Sequence, residues 1–199
     1  MIVNGIAYVA EDAEFFADGS VCDATLLRDA VIQGLPCTGG RSVAFYDEGA
    51  LRLARRSREA DVGRIACAPG IVYLHPNGNL LNGCLATRCQ FGAIEVDHGE
   101  RVTLDETGRL LEYSRRLERT ETIGGLRCSS RYRVWLYANG RPSVVVLTAS
   151  STIGKRPYPR GTELLLGPRG GVLEHYLRDL DSGQEYPERV CGVHEVPWA

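Results

Sequence analysis

One turn recurs six times along the chain. FFADG ends at Gly19, FYDEG at Gly49, LHPNG at Gly78, LDETG at Gly108, LYANG at Gly140 and LGPRG at Gly170. The intervals are 30, 29, 30, 32 and 30 residues, the mark of a tandemly duplicated module. Four residues before each glycine stands Phe15, Phe45, Leu74, Leu104, Leu136 or Leu166, and six before it stands Ala13, Val43, Val72, Val102, Val134 or Leu164. Two residues after it come Val21, Leu51, Leu80, Leu110, Pro142 and Val172; Pro142 alone leaves the aliphatic column.

A second motif opens each module: VNGIAY from Val3, IQGLPC from Ile32, VGRIAC from Val62, FGAIEV from Phe91, IGGLRC from Ile123 and IGKRPY from Ile153. It keeps step with the turns. Together the two motifs divide one repeat domain, 1–199, into six modules at 3–31, 32–61, 62–90, 91–122, 123–152 and 153–182, with a partial seventh copy from Val190 inside a C-terminal cap at 183–199.

Apolar residues at every second position before the glycine have the period of a strand with one buried face. Asn-Gly and Asp-Gly pairs supply the positive φ of a tight turn. The chain is therefore expected to be all-β, each module being a β-hairpin preceded by a shorter extended piece. Residues 50–61 and 109–120 have a helix-like spacing of leucine, arginine and glutamate. The matching residues 141–152 hold a proline and a run of valines, so strands are expected in all three. A single hairpin does not hold together in water, so the six must stack, as an extended antiparallel sheet or a β-solenoid, with a closed β-barrel as the alternative.

The [FL]-x-x-x-G turn flanked by alternating apolar residues, clearest in LHPNG and LYANG, resembles the hairpin of MORN repeats and their bacterial MORN-like variants. The resemblance runs through all six modules. It implies an elongated antiparallel sheet that serves as a scaffold or as a binding surface for protein or lipid, and it brings no shared catalytic residues.

Composition narrows the function. With 23 basic and 25 acidic side chains the net charge is −2, which argues against general nucleic-acid binding. No apolar run is long enough to span a bilayer, and MIVNGIAYVAEDAE lacks the basic and long apolar regions of a signal peptide, so a cytoplasmic location is expected. Seven cysteines cannot all pair with one another, and reduced thiols, mostly buried, are expected. Cys37, Cys67 and Cys128 share a position held elsewhere by Tyr8, Val96 and Tyr158, which reads as an apolar slot and not a metal site. The spacing of Cys84 and Cys89 is too wide for a zinc knuckle. No phosphate-binding loop, dinucleotide fingerprint, nucleophile elbow or zinc-protease motif is present, and no cofactor or metal is expected.

The positions alternating with the buried columns carry Tyr46, Tyr73, Trp135 and Tyr137. Arg55-Arg56 and Arg115-Arg116 follow the turns of two alternate modules, where Thr25-Leu26, Cys84-Leu85 and Val146-Leu147 stand in others. Exposed aromatic rings beside guanidinium groups suit a partner protein or an acidic ligand, so these eight residues are the expected binding face of a non-enzymatic interaction module. The alternative is a small-molecule enzyme of the proton-transfer type, an isomerase, cyclase or lyase. In it His75 and Asp105, which occupy the same slot in successive modules, would form a dyad inside a curled sheet. A third reading is a self-assembling structural protein, a homo-oligomer joined through sheet edges.

Overall fold

The computed structural model describes residues 1–178, and the expected cap at 183–199, with the seventh motif, lies outside the described residues. The chain divides into two compact units, Met1–Leu110 and a second beginning at Leu111. Both are all-β. No α-helix occurs among the described residues, and none is long and apolar enough to cross a membrane.

Every one of the six recurring turns closes the same pair of backbone hydrogen bonds. The amide of Gly49 donates to the Tyr46 carbonyl at 2.9 Å, and the Tyr46 amide donates to Ala50 at 2.8 Å; Gly19, Gly78, Gly108, Gly140 and Gly170 repeat both bonds. The six glycines hold φ between +76° and +86°, the left-handed region in which a Cβ would be strained. This is the three-residue hairpin loop in which a left-handed glycine completes a turn and forms a bulge.

The opening motif is more than the extended piece expected of it. It is a second, short hairpin with a two-residue loop, closing across Val3 and Ile6, Ile32 and Leu35, Val62 and Ile65, Phe91 and Ile94, Ile123 and Leu126, and Ile153 and Arg156. Where both loop residues have positive φ, as in Asn4-Gly5, Gln33-Gly34 and Gly124-Gly125, the loop is the mirror-image type I turn. Where only the first does, at Gly63, Gly92 and Gly154, it is the mirror-image type II turn.

The large hairpins pair edge to edge. In the N-terminal unit the strand order is Glu14–Phe15, Val21–Thr25, Ser42–Phe45, Leu51–Arg56, Gly70–Leu74, Leu80–Cys84, Arg101–Leu104. In the C-terminal unit it is Leu110–Arg115 (whose first residue belongs to the N-terminal unit), Val134–Tyr137, Pro142–Val146, Thr162–Leu166, Val172–Leu177. All pairings are antiparallel. The first and last strands of each row do not pair with each other, so the closed-barrel alternative is not what forms. Residues 51–56 and 110–115, with their helix-like composition, are strands that pair residue by residue with the strands beside them, Leu53 with Tyr73 and Ser114 with Trp135.

One face of each row is dry. In the C-terminal unit Val134, Leu136, Val145, Leu147, Leu164 and Leu166 of the sheet pack with Leu126, Cys128 and Tyr158 of the short hairpins. The short hairpins are therefore a second layer. In the N-terminal unit Val43, Ala54, Val72 and Val102 are fully buried, and the short hairpins reach the sheet through bridges from Tyr8 to Leu26, Cys37 to Arg56 and Cys67 to Leu85. The opposite face of each row carries the alternate side chains.

Candidate functional site

The column of residues three before each turn glycine has a structural task. Tyr46 Oη donates to the Leu74 carbonyl at 2.8 Å, and Tyr137 Oη donates to the Leu166 carbonyl at 2.6 Å. His75 does the same thing: its Nε2 lies 3.0 Å from the Leu104 carbonyl, which as a pure acceptor requires the proton on Nε2. Each of these bonds runs from one turn to the residue just before the equivalent slot of the next. They stitch adjacent hairpins together. Asp105 turns inward instead: its Oδ1 accepts from Thr107 Oγ1 at 2.6 Å, from the Thr107 amide at 2.9 Å and from the Arg109 amide at 2.9 Å. The Thr107 hydroxyl, then the backbone bonds, hold its carboxyl below the usual range. His75 and Asp105 are therefore not joined as a dyad; the histidine is engaged with the Leu104 carbonyl of the next hairpin and the aspartate with its own turn.

The eight residues expected to form one binding face are placed in different surroundings. Arg55 and Tyr73 share the face of the N-terminal row away from the short hairpins, Arg55 opposite Ile71 and Tyr73 flanked by Leu53 and Asn82. Arg55 is exposed and Tyr73 half-buried. Beside them Asn82 donates from Nδ2 to Thr103 Oγ1 at 2.9 Å and accepts on Oδ1 from Arg101 Nε at 3.2 Å, a polar ladder between two strands. In the C-terminal unit Trp135 lies on the corresponding face between Ser114 and Val144 but is only 6% exposed, so the indole is not a solvent-facing ring. Arg115 is paired with Glu121 at 3.0 Å, and Arg116 is exposed.

Arg56 corrects the expectation most plainly. It is 2% exposed, with Nη1 donating to the Ala60 carbonyl at 2.7 Å and Nη2 to the carbonyls of Cys67 and Ala68. Its Nε has no partner, and burial lowers its pKa from the ordinary value. Counting six residues back from the short hairpins at Ile32, Phe91, Ile123 and Ile153 gives Leu26, Leu85, Leu117 and Leu147, all buried; counting back from Val62 gives Arg56. Arginine here fills a leucine slot in the core.

The six described cysteines are free thiols. Cys37, Cys67 and Cys128 are buried as expected, and burial pushes Cys67 and Cys128 up to about 11, so both stay protonated and unreactive near neutrality. No group of three or more His, Cys, Asp or Glu side chains placed to hold a metal ion occurs among the described residues.

What sequence reasoning missed is a change of charge. The N-terminal unit has ten basic and fifteen acidic residues, whereas residues 111–199 have thirteen and ten, and five of those ten acids follow residue 178. From Thr122 to Leu173 there are eight basic residues and one acid, Glu163, itself buried and ion-paired with Arg178. Arg127, Arg131, Arg141, Lys155, Arg156, Arg160 and Arg169 are exposed. Two of them flank a half-open cleft of about 330 Å³, lined by Gly124, Leu126, Arg141, Pro142, Ile153, Leu166, Arg169 and Gly170. Arg141 Nη1 lies 3.5 Å from the Pro168 carbonyl, and the Arg169 side chain is exposed. A running charge count would have found the basic stretch; the whole-chain net charge conceals it. Compared with protein-family models, with curated proteins and with solved structures, the chain matches none.

Proposed function

We propose that this protein is a non-enzymatic interaction module of tandem, MORN-like hairpins, and that its C-terminal unit takes an acidic partner polypeptide. The observation that carries this reading is the run from Thr122 to Leu173, eight cations against a single acid that is already neutralised by Arg178. Guanidinium groups suit carboxylates because their fork of donors matches both oxygens. A polypeptide fits better than a nucleic acid. The N-terminal unit is net acidic and would repel a long polyphosphate, whereas a short acidic segment engages the C-terminal unit alone. His75 and Asp105, the residues that a proton-transfer enzyme would need, are engaged elsewhere, the histidine with the next hairpin's Leu104 carbonyl and the aspartate with its own turn.

The test is fluorescence anisotropy with a labelled decaglutamate peptide and the full-length protein. Binding is expected at low salt, weakening as salt screens it. Arg127→Glu and Arg169→Glu should each weaken it several-fold, and Arg58→Glu in the N-terminal unit should not. Binding of a duplex oligonucleotide in place of the peptide, or equal loss on Arg58→Glu, would overturn the proposal.

A further inference from the structure

The cleft in the C-terminal unit lies where the second module has a bridging side chain. In that module the space between the short-hairpin tip and the large turn is spanned by Gln33. Its Nε2 donates to the Gly49 carbonyl at 2.8 Å, and its Oε1 accepts from the Leu51 amide at 3.0 Å. Gln33 is the first loop residue of its short hairpin and Leu51 lies two residues past the turn glycine; the equivalents in the later module are Gly124 and Pro142. Glycine has no amide to span the gap. Proline has no N–H to need one. The two changes are coupled, since a Cβ on Gly124 would come within 2.8 Å of Pro142 Cδ. What remains is a floor of Leu126, Pro142, Ile153 and Leu166 with Arg141 and Arg169 at its rim and no acid in its lining.

We infer that this cleft is an anchor pocket for one apolar side chain of an acidic peptide, with the carboxylates flanking that side chain held by Arg141 and Arg169. Its volume of about 330 Å³ lies at the small end of ligand pockets and is ample for one apolar side chain. The positive rim selects the partner's charge, and the dry floor selects the apolar residue between the charges. This assignment rests on the acidic-partner reading and adds its sequence preference.

Two labelled peptides separate the two claims: decaglutamate, and the same peptide with one central glutamate replaced by leucine. The leucine peptide, despite one charge fewer, should bind the full-length protein about tenfold more tightly, the effect of burying one such side chain. The double substitution Gly124→Gln with Pro142→Leu writes the N-terminal arrangement into the cleft and should abolish that preference while leaving decaglutamate binding intact. Ile153→Trp, which fills the cleft from its half-buried margin, is a second route to the same result; each variant's melting midpoint shows that it folds. Equal affinity of wild-type protein for both peptides, or a preference that survives in both folded variants, overturns the anchor pocket and leaves the acidic-partner reading standing. Binding of neither peptide overturns both.

Discussion

The two compact units are built from one set of rules and finished with opposite charge. Both have large hairpins closed by the same two hydrogen bonds at a left-handed glycine, short hairpins with two-residue loops, and, before every short hairpin after the first, a buried leucine six residues ahead, Arg56 apart. Yet one unit has fifteen acids to ten bases and the other ten to thirteen, with only five of those ten acids before residue 179. The positions that fix the fold are apolar columns and turn glycines, and the charged residues lie between them. Charge is thus free to diverge without disturbing the sheet, and the place where it diverges most is where a partner is best sought.

The equivalence of the two units is itself open to attack. Leu85 and Leu147 occupy one slot, both are essentially without solvent exposure, and each is bridged to a short-hairpin cysteine, Cys67 or Cys128. Leu85→Ala and Leu147→Ala should each cost about 3 kcal/mol in urea unfolding, the usual loss for a leucine truncated in a packed core. A cost of under 1 kcal/mol at either site would show that the shared pattern hides unequal packing.

Arg56 sharpens the comparison from the other side. A buried guanidinium satisfied only by carbonyls gives up its hydration without gaining a counter-ion, so replacing it with the leucine of its siblings should leave the protein as stable or stabilise it by about 1–2 kcal/mol. Arg56→Ala, which leaves both a cavity and three carbonyls without that donor, should destabilise instead. If Arg56→Leu unfolds at a denaturant midpoint clearly below that of the wild type, the carbonyl cage contributes more than a core leucine would, and the slot is not equivalent after all.

Repetition made the fold legible. Six aligned glycines with apolar partners at fixed offsets are enough to place the large hairpins, and the valine run at 144–146 rightly outweighs the helical look of residues 50–61. The short hairpins were harder to see because their loops vary, Asn-Gly in one module and Gly-Lys in another, although both satisfy two-residue hairpin geometry. The binding residues were the least legible. Alternation along a strand says which face a side chain takes but not whether that face is wet, so the pattern assigns a face to Trp135 without revealing that its ring is buried there. Arg55 and Arg56 look like a doublet, but adjacent strand residues point to opposite faces, so one reaches water and the other the core. Pro142 was visible as the break in its column; only the structure shows that it marks a cleft.

The smallest expected effect belongs to the stitches between hairpins, and there the two units should agree. Tyr46 and His75 in one unit and Tyr137 in the other each give one hydrogen bond to a carbonyl of the next hairpin, and all three are half-buried. Tyr46→Phe and Tyr137→Phe keep the ring and remove only the donor, so each should cost about 1 kcal/mol, the net worth of a single bond of this kind. His75→Tyr restores the residue its siblings use, and since phenol and imidazole serve the same carbonyl, it should leave the unfolding midpoint within about 0.5 kcal/mol of wild type. A stitch without chemistry predicts that outcome for His75. Should His75→Tyr preserve stability but abolish an activity that Tyr46→Phe leaves untouched, the histidine would have a task beyond joining hairpins, and the enzyme reading would return.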